Sequence, residues 1–178
     1  IDEMYHTSFG YIPGGQEIVI VPDPGNCQRY YLFSSTQGNF PRPFYSILDL
    51  NLPNQWTNGR NGALENFSSG NAQVLSLPSN DWFRGRIGFA ASKLRSDNSR
   101  FLFVHDGLSN IYRMRITLSG PIFDNYIINC GGEESSVQRA ELELLELPNG
   151  EYKLASSSTQ TSGINSPSHV FHTTLNSS

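Results

Sequence analysis

The chain has 178 residues, a formal net charge of -4 and only 16% charged residues. Its lysines and arginines are scattered rather than striped, which argues against a nucleic-acid partner, and no apolar stretch approaches the length of a membrane span. The length suits one ordinary domain with a core or a piece of something larger. Since no signal-peptide pattern opens the sequence, we expect a mature chain or a fragment of a larger protein.

Short runs of β-favouring residues recur along the chain, each bounded by turns rich in Gly, Pro, Asn and Asp. In chain order they cover residues 17–21, 29–35, 44–52, 86–92, 100–105, 111–118, 124–130, 140–147 and 152–158. Residues 135–147 have helix-forming Ala, Glu and Leu, but the leucines alternate with glutamates at a period of two, which favours a strand. The sequence therefore predicts an all-β fold.

Three of these runs begin equivalent units, each with an apolar strand, a turn and an aromatic-led strand. Tyr31, Phe101 and Tyr152 mark the aromatic strands, 70 and 51 residues apart. A third strand follows in each unit, and the first two units supply a fourth candidate within residues 62–77 and 120–130. The approximate units are residues 12–80, 84–132 and 136–178, and the last is incomplete.

Four antiparallel strands that recur at a period of about 40 to 60 residues are typical of β-propeller blades. Because propellers need at least ~4 blades to close, we expect about three four-stranded propeller-like blades of a partial β-propeller, completed from elsewhere. The alternative is a free-standing β-sandwich with a two-sheet core.

Specific segments also carry a family resemblance. The order "VPDPGN", "YYLFSS" and "YSILDLNL", followed by "FLFVHDG" and "IYRMRITLSG", resembles the β-propeller segments of large secreted surface proteins of Bacteroidota. Such proteins commonly end in gliding-motility-type sorting domains used by the type IX secretion system. The resemblance implies a bacterial extracellular or cell-surface location and a presented scaffold or binding module, and it brings no catalytic residues.

His105-Asp106 is the most enzyme-like pair, because an imidazole beside a carboxylate could belong to a catalytic triad. Adjacent strand residues point to opposite faces, however, and Asp-Gly favours a hairpin turn, so we interpret the pair as a strand end and a turn. His169 and His172 are three apart, which on a strand places them on opposite faces, with no third ligand nearby. We expect no catalytic residues, no metal site and no cofactor.

Two cysteines, Cys27 and Cys130, permit one long-range disulfide. Sequence separation alone cannot show that they meet, so two free, buried or half-buried thiols are the alternative.

Aromatic and arginine side chains in loops rich in Asn and Gly are the binding candidates, because they combine buried area with orienting hydrogen bonds. These residues are Trp56, Arg60, Trp82, Phe83 and Arg84. The alternative is that the aromatic rings pack against the sides of the sheets. We expect a non-catalytic scaffold or binding module whose partners are other blades or domains of a larger protein and a glycan or surface protein. The alternative function is a glycan-active hydrolase whose acids lie partly outside this chain.

Overall fold

A computed structural model describes residues 18–35, 42–53, 61–65, 73–78, 87–107, 109–130, 137–160 and 169–175. Within these residues the chain forms twelve β-strands and no helix. The strands are β1 (Val19–Asp23), β2 (Asn26–Ser35), β3 (Pro43–Pro53), β4 (Asn61–Leu64), β5 (Gln73–Val74), β6 (Gly88–Ala91), β7 (Arg100–His105), β8 (Asn110–Thr117), β9 (Gly120–Asn129), β10 (Val137–Glu146), β11 (Tyr152–Gln160) and β12 (His169–Leu175). The prediction of an all-β fold is confirmed, and so is the choice of strand over helix for β10.

The strands form three antiparallel sheets, each built from strands in sequence order. The first sheet has the order β1-β2-β3-β4, the middle sheet β6-β7-β8-β9 and the third sheet β10-β11-β12. One detail differs from the prediction, because the single fourth strand expected within residues 62–77 is two short strands. Both β4 and β5 pair with β3, at different points along it.

Strand β7 of the middle sheet is buried on both of its faces. Alternate residues of β7 point in opposite directions, so Leu102 and Val104 join a cluster with Tyr31 and Phe33 of the first sheet. Phe101 and Phe103 join the other cluster, which includes Leu142, Tyr152, Leu154 and Leu175 of the third sheet. The unbroken apolar run "FLFV" therefore serves two cores, and the three sheets form a face-to-face stack.

In β10 and β11 the large apolar side chains that the structure describes point toward the middle sheet, apart from the exposed Leu145. Leu142, Leu144 and Leu154 point toward the middle sheet, whereas Glu141 and Glu143 on the opposite face of β10 are exposed. This face assignment corrects the sequence alignment of the third unit. Tyr31 and Phe101 each face the sheet that follows them, but Tyr152 faces back toward Phe101, with ring centroids 5.8 Å apart.

The turn between β1 and β2 is fixed by hydrogen bonds and an arginine. The Asp23 carboxylate accepts the Gly25 N–H at 2.8 Å and lies 3.3 Å from Arg29 Nη1. Arg29 also forms a bidentate pair with Glu65, at 2.7 Å and 3.1 Å. A Cβ at Gly25 would meet Leu118 Cδ2 at 2.6 Å, so this turn sits directly against the β8–β9 turn of the middle sheet.

Successive sheets approach most closely at their first strands, since β6 contacts β1 on one side and β10 on the other. Among the described strands no sheet closes on itself, so the arrangement is an open stack of antiparallel sheets. No helix in this part of the chain has the length and apolarity to cross a membrane.

Candidate functional site

The five loop residues that the sequence marks as binding candidates lie outside the described residues. These are Trp56, Arg60, Trp82, Phe83 and Arg84. The structure instead shows two clusters of ionisable side chains, one around His105 and the other around Phe101.

His105 ends β7 and is only 1% exposed. Its Nδ1 accepts the Gly107 N–H at 2.9 Å, which assigns the ring proton of the neutral imidazole to Nε2. Burial lowers the pKa of His105 below its ordinary value, an effect that the negative charge of Asp106 partly opposes. The imidazole is therefore neutral at physiological pH, with a defined tautomer.

Asp106 closes the loop between β7 and β8. Its Oδ1 accepts the Asn110 N–H at 3.1 Å and its Oδ2 accepts the Asn110 side-chain amide at 3.0 Å. The Asp106 N–H also donates to the Asn110 carbonyl at 3.0 Å. In a catalytic triad the carboxylate accepts a hydrogen bond from the histidine Nδ1–H, but Nδ1 of His105 is itself an acceptor. Asp106 thus has the turn role that its sequence context indicates, in a loop of four residues with Gly107 at φ 78°.

Cys130 follows β9, and its Sγ lies 3.4 Å from His105 Nε2. A catalytic cysteine needs a base that takes its proton, but the Nε2 that faces this thiol carries the proton already. Burial, with a smaller contribution from the negative charge of Asp106, raises the pKa of the Cys130 thiol to about 11. The contact between Cys130 Sγ and His105 Nε2 joins the ends of β7 and β9. The Cys130 N–H also donates a hydrogen bond to the Ser109 carbonyl at 2.7 Å.

The disulfide that the sequence allows between Cys27 and Cys130 is not formed, and both thiols are free. Cys27 belongs to β2 of the first sheet, where its side chain is exposed. Cys130 belongs to the middle sheet and is half-buried beside His105. The two residues therefore have different surroundings on different sheets.

The second cluster consists of arginines on the face of the middle sheet that meets the third sheet. The guanidinium carbons of Arg95, Arg113 and Arg115 lie 4.1, 4.5 and 5.9 Å from the centroid of the buried Phe101 ring. Asp97 pairs with Arg95 at 3.5 Å and with Arg115 at 3.9 Å. A hydrogen bond from Ser99 lowers the pKa of Asp97, and both arginines lower it further. We call these side chains the arginine cluster.

An irregularity in β9 adds a second acid to the arginine cluster. Arg113 pairs with Tyr126 and Met114 with Phe123, so Asp124 and Asn125 are extra residues that bulge from the strand. Asn125 has a φ of 60°, and Asp124 Oδ2 accepts from Arg113 Nε at 2.6 Å. The Tyr126 ring lies 4.2 Å from the Arg113 guanidinium carbon. Sequence reasoning missed this cluster, although two arginines two residues apart within an otherwise apolar strand are its signal.

The structure provides no metal centre among the residues it describes, since no group of three His, Cys, Asp or Glu side chains converges there. His172 is exposed on β12, and the side chain of His169 lies outside the described part of the chain.

No family model, no curated protein and no solved structure matches this chain.

Proposed function

We propose that this chain is a non-catalytic binding and scaffold module of a larger secreted surface protein, built from propeller-like blades that present loops to a glycan or protein partner. The observation that carries the proposal is the chemistry of the His105 cluster. Among the described residues, His105 is held in one tautomer by the Gly107 N–H and Asp106 accepts the Asn110 N–H within its loop. The thiol beside them, Cys130, has a raised pKa.

The stacking of the sheets supports the blade arrangement. Adjacent blades of a propeller pack face to face, and their first strands converge toward a common axis. The three sheets here pack in sequence order, and β6 lies between β1 and β10. Further blades from outside this chain would complete such a ring, and the resemblance to Bacteroidota surface proteins supports secretion by the type IX system and display at the cell surface.

A rigid stack of paired strands suits recognition, because it fixes the bases of loops whose side chains select the partner. Trp56, Arg60, Trp82, Phe83 and Arg84 are the loop residues from which we expect that selection. Aromatic rings beside guanidinium groups would stack on a sugar ring and donate hydrogen bonds to its hydroxyls.

The experiment is a glycan and protein binding screen combined with a hydrolysis assay on every glycan that binds. We expect binding without turnover, with affinity reduced about tenfold by Trp82→Ala or Trp56→Ala. The substitution Leu118→Ala, in an exposed turn of the middle sheet, is the matched control and leaves binding unchanged. Turnover that Asp106→Asn abolishes while the fold persists would refute the proposal and support the glycan-active hydrolase.

A further inference from the structure

The hairpin turn between β10 and β11 places an asparagine directly before a glycine at an exposed tip. The Gly150 N–H donates to the Leu147 carbonyl at 3.0 Å, and the Leu147 N–H donates to the Glu151 carbonyl at 2.8 Å. Asn149 and Gly150 are both exposed, and Gly150 has a φ of 84°. The two residues are therefore held by turn hydrogen bonds rather than by packing, and water reaches them.

The Asn149 side chain folds back over its own backbone. Its Oδ1 accepts the Glu151 N–H at 3.1 Å, which is the pattern of an Asx-turn. This bond holds the side-chain amide carbon, Cγ, beside the peptide link that joins Asn149 to Gly150. The Gly150 nitrogen is the backbone nitrogen that can close a five-membered ring with this carbon, and no Cβ on Gly150 obstructs its approach.

We propose that Asn149 is a site of spontaneous modification, at which the side-chain amide is lost and the backbone of the turn is rerouted. Hydroxide removes the proton of the Gly150 N–H, and the nitrogen attacks Asn149 Cγ. The bond from Cγ to the side-chain nitrogen breaks, that nitrogen takes a proton from water and leaves as ammonia, and a succinimide ring remains. Water then opens the ring. Cleavage of the new bond at Cγ leaves an aspartate at position 149, and cleavage at the backbone carbonyl carbon leaves an isoaspartate.

The hydrogen bonds of the turn act on this reaction in opposite directions. Asn149 Oδ1 becomes the oxyanion when the nitrogen attacks, and the Glu151 N–H already aimed at it stabilises the developing charge. The Gly150 N–H must first release the Leu147 carbonyl. Because an exposed turn opens more readily than the interior of a strand ladder, this release is easier at the hairpin tip than within a sheet.

Two other described asparagines each share one feature with Asn149. Asn26 has the same folded side chain, since its Oδ1 accepts the Gln28 N–H at 2.9 Å, but a cysteine follows it. Asn61 precedes a glycine, but it lies in the ladder between β4 and β3. Among the described asparagines only Asn149 combines a folded side chain with a following glycine. We therefore expect it to be modified first.

The modification alters the junction between the middle and third sheets. The turn follows Glu146, whose carboxylate accepts the Lys93 N–H of the loop between β6 and β7. It precedes Tyr152, whose ring lies 5.8 Å from that of Phe101. An isoaspartate lengthens the main chain by one methylene, so the ends of β10 and β11 no longer meet in the same register.

Peptide-resolved mass spectrometry of the full chain, incubated at pH 8 and at pH 6, measures the modification at each asparagine. We expect Asn149 to react about tenfold faster than Asn26 and about threefold faster than Asn61. Its rate should be at least about tenfold higher at pH 8 than at pH 6, because the deprotonated fraction of the attacking amide rises with pH. A synthetic peptide of residues 146–153 is the positive control for the chemistry.

Two substitutions test the hydrogen bond to Oδ1. Glu151→Pro removes the N–H but keeps the carbonyl that the Leu147 N–H binds, and it should slow the reaction about threefold to tenfold. Glu151→Gln is the matched control, since it keeps the N–H, and it should change the rate less than about twofold. The isolated isoaspartate form should have an unfolding constant about tenfold larger than that of the unmodified chain, against less than about threefold for Asn149→Asp.

The proposal is overturned if the synthetic peptide reacts while Asn149 of the folded chain does not, or if Asn26 or Asn61 reacts as fast as Asn149. Equal rates in Glu151→Pro and Glu151→Gln would refute the part assigned to the Glu151 N–H. An isoaspartate form as stable as the unmodified chain would refute the effect on the junction between the sheets.

Discussion

Replacing His105 with asparagine should remove a pH dependence of stability that this one buried imidazole creates. Burial places the pKa of His105 below its ordinary value of 6.5. In the unfolded chain the imidazole takes up a proton as the pH falls through about 6.5, while in the folded chain it stays neutral to lower pH. The stabilisation is therefore complete above pH 6.5 and is lost as the pH falls toward the folded-state pKa.

The magnitude follows from proton linkage. Between pH 7.5 and pH 5.5 the free energy of unfolding should fall by up to about 1.4 kcal/mol on account of this group. In His105→Asn the amide oxygen replaces Nδ1 as acceptor for Gly107, but the contact with Cys130 is lost. We expect a loss of about 1–3 kcal/mol at pH 7.5 and a correspondingly flatter pH profile.

Urea unfolding at several pH values between 7.5 and 5.5 measures both effects. His172→Asn is the control, because His172 is exposed on β12, and its profile should follow that of the unsubstituted chain. If His105→Asn retains the full decrease in stability between pH 7.5 and pH 5.5, the assignment of the pH dependence to His105 is incorrect.

Three further predictions concern thiol reactivity and packing. In Cys27→Ser, Cys130 should react with a disulfide reagent at pH 8 about 100-fold more slowly in the folded chain than in urea, since its pKa in the folded chain is about 11. Equal rates would contradict this raised pKa. Phe101→Ala should lower the free energy of unfolding by about 3–5 kcal/mol, against less than about 0.5 for the exposed Leu145→Ala. Arg29→Ala should lower it by about 1–3 kcal/mol, because it leaves the buried Asp23 carboxylate without its cation; a loss equal to that of Leu145→Ala would refute this.

The strands were predictable because alternation and turn chemistry are local. The strand β7 (Arg100–His105) has the same bounds in the sequence and in the structure. The short β4 and β5 were merged in the prediction, because whether two short strands share one neighbour depends on register along β3. The alternation of leucine and glutamate correctly indicated a strand for β10, whose Glu141 and Glu143 are exposed.

Facing direction and side-chain chemistry were harder to predict. The alignment of Tyr152 with Phe101 treated their strands as equivalent, yet the two rings meet across the interface. A shift of one residue reverses the face of every side chain, and an aromatic anchor alone does not fix that choice. The tautomer of His105 depends on Gly107 N–H and Cys130, one a neighbour in a folded loop and the other 25 residues away.

Burial of β7 on both of its faces has a consequence for how the chain unfolds. Phe101 and Phe103 need the third sheet as cover, and Leu102 and Val104 need the first. Loss of either neighbour would expose a row of large apolar side chains in the strand that carries the highest density of them. The stack should therefore lose its outer sheets and its centre in one cooperative transition, and a fragment limited to residues 87–130 should aggregate rather than fold alone.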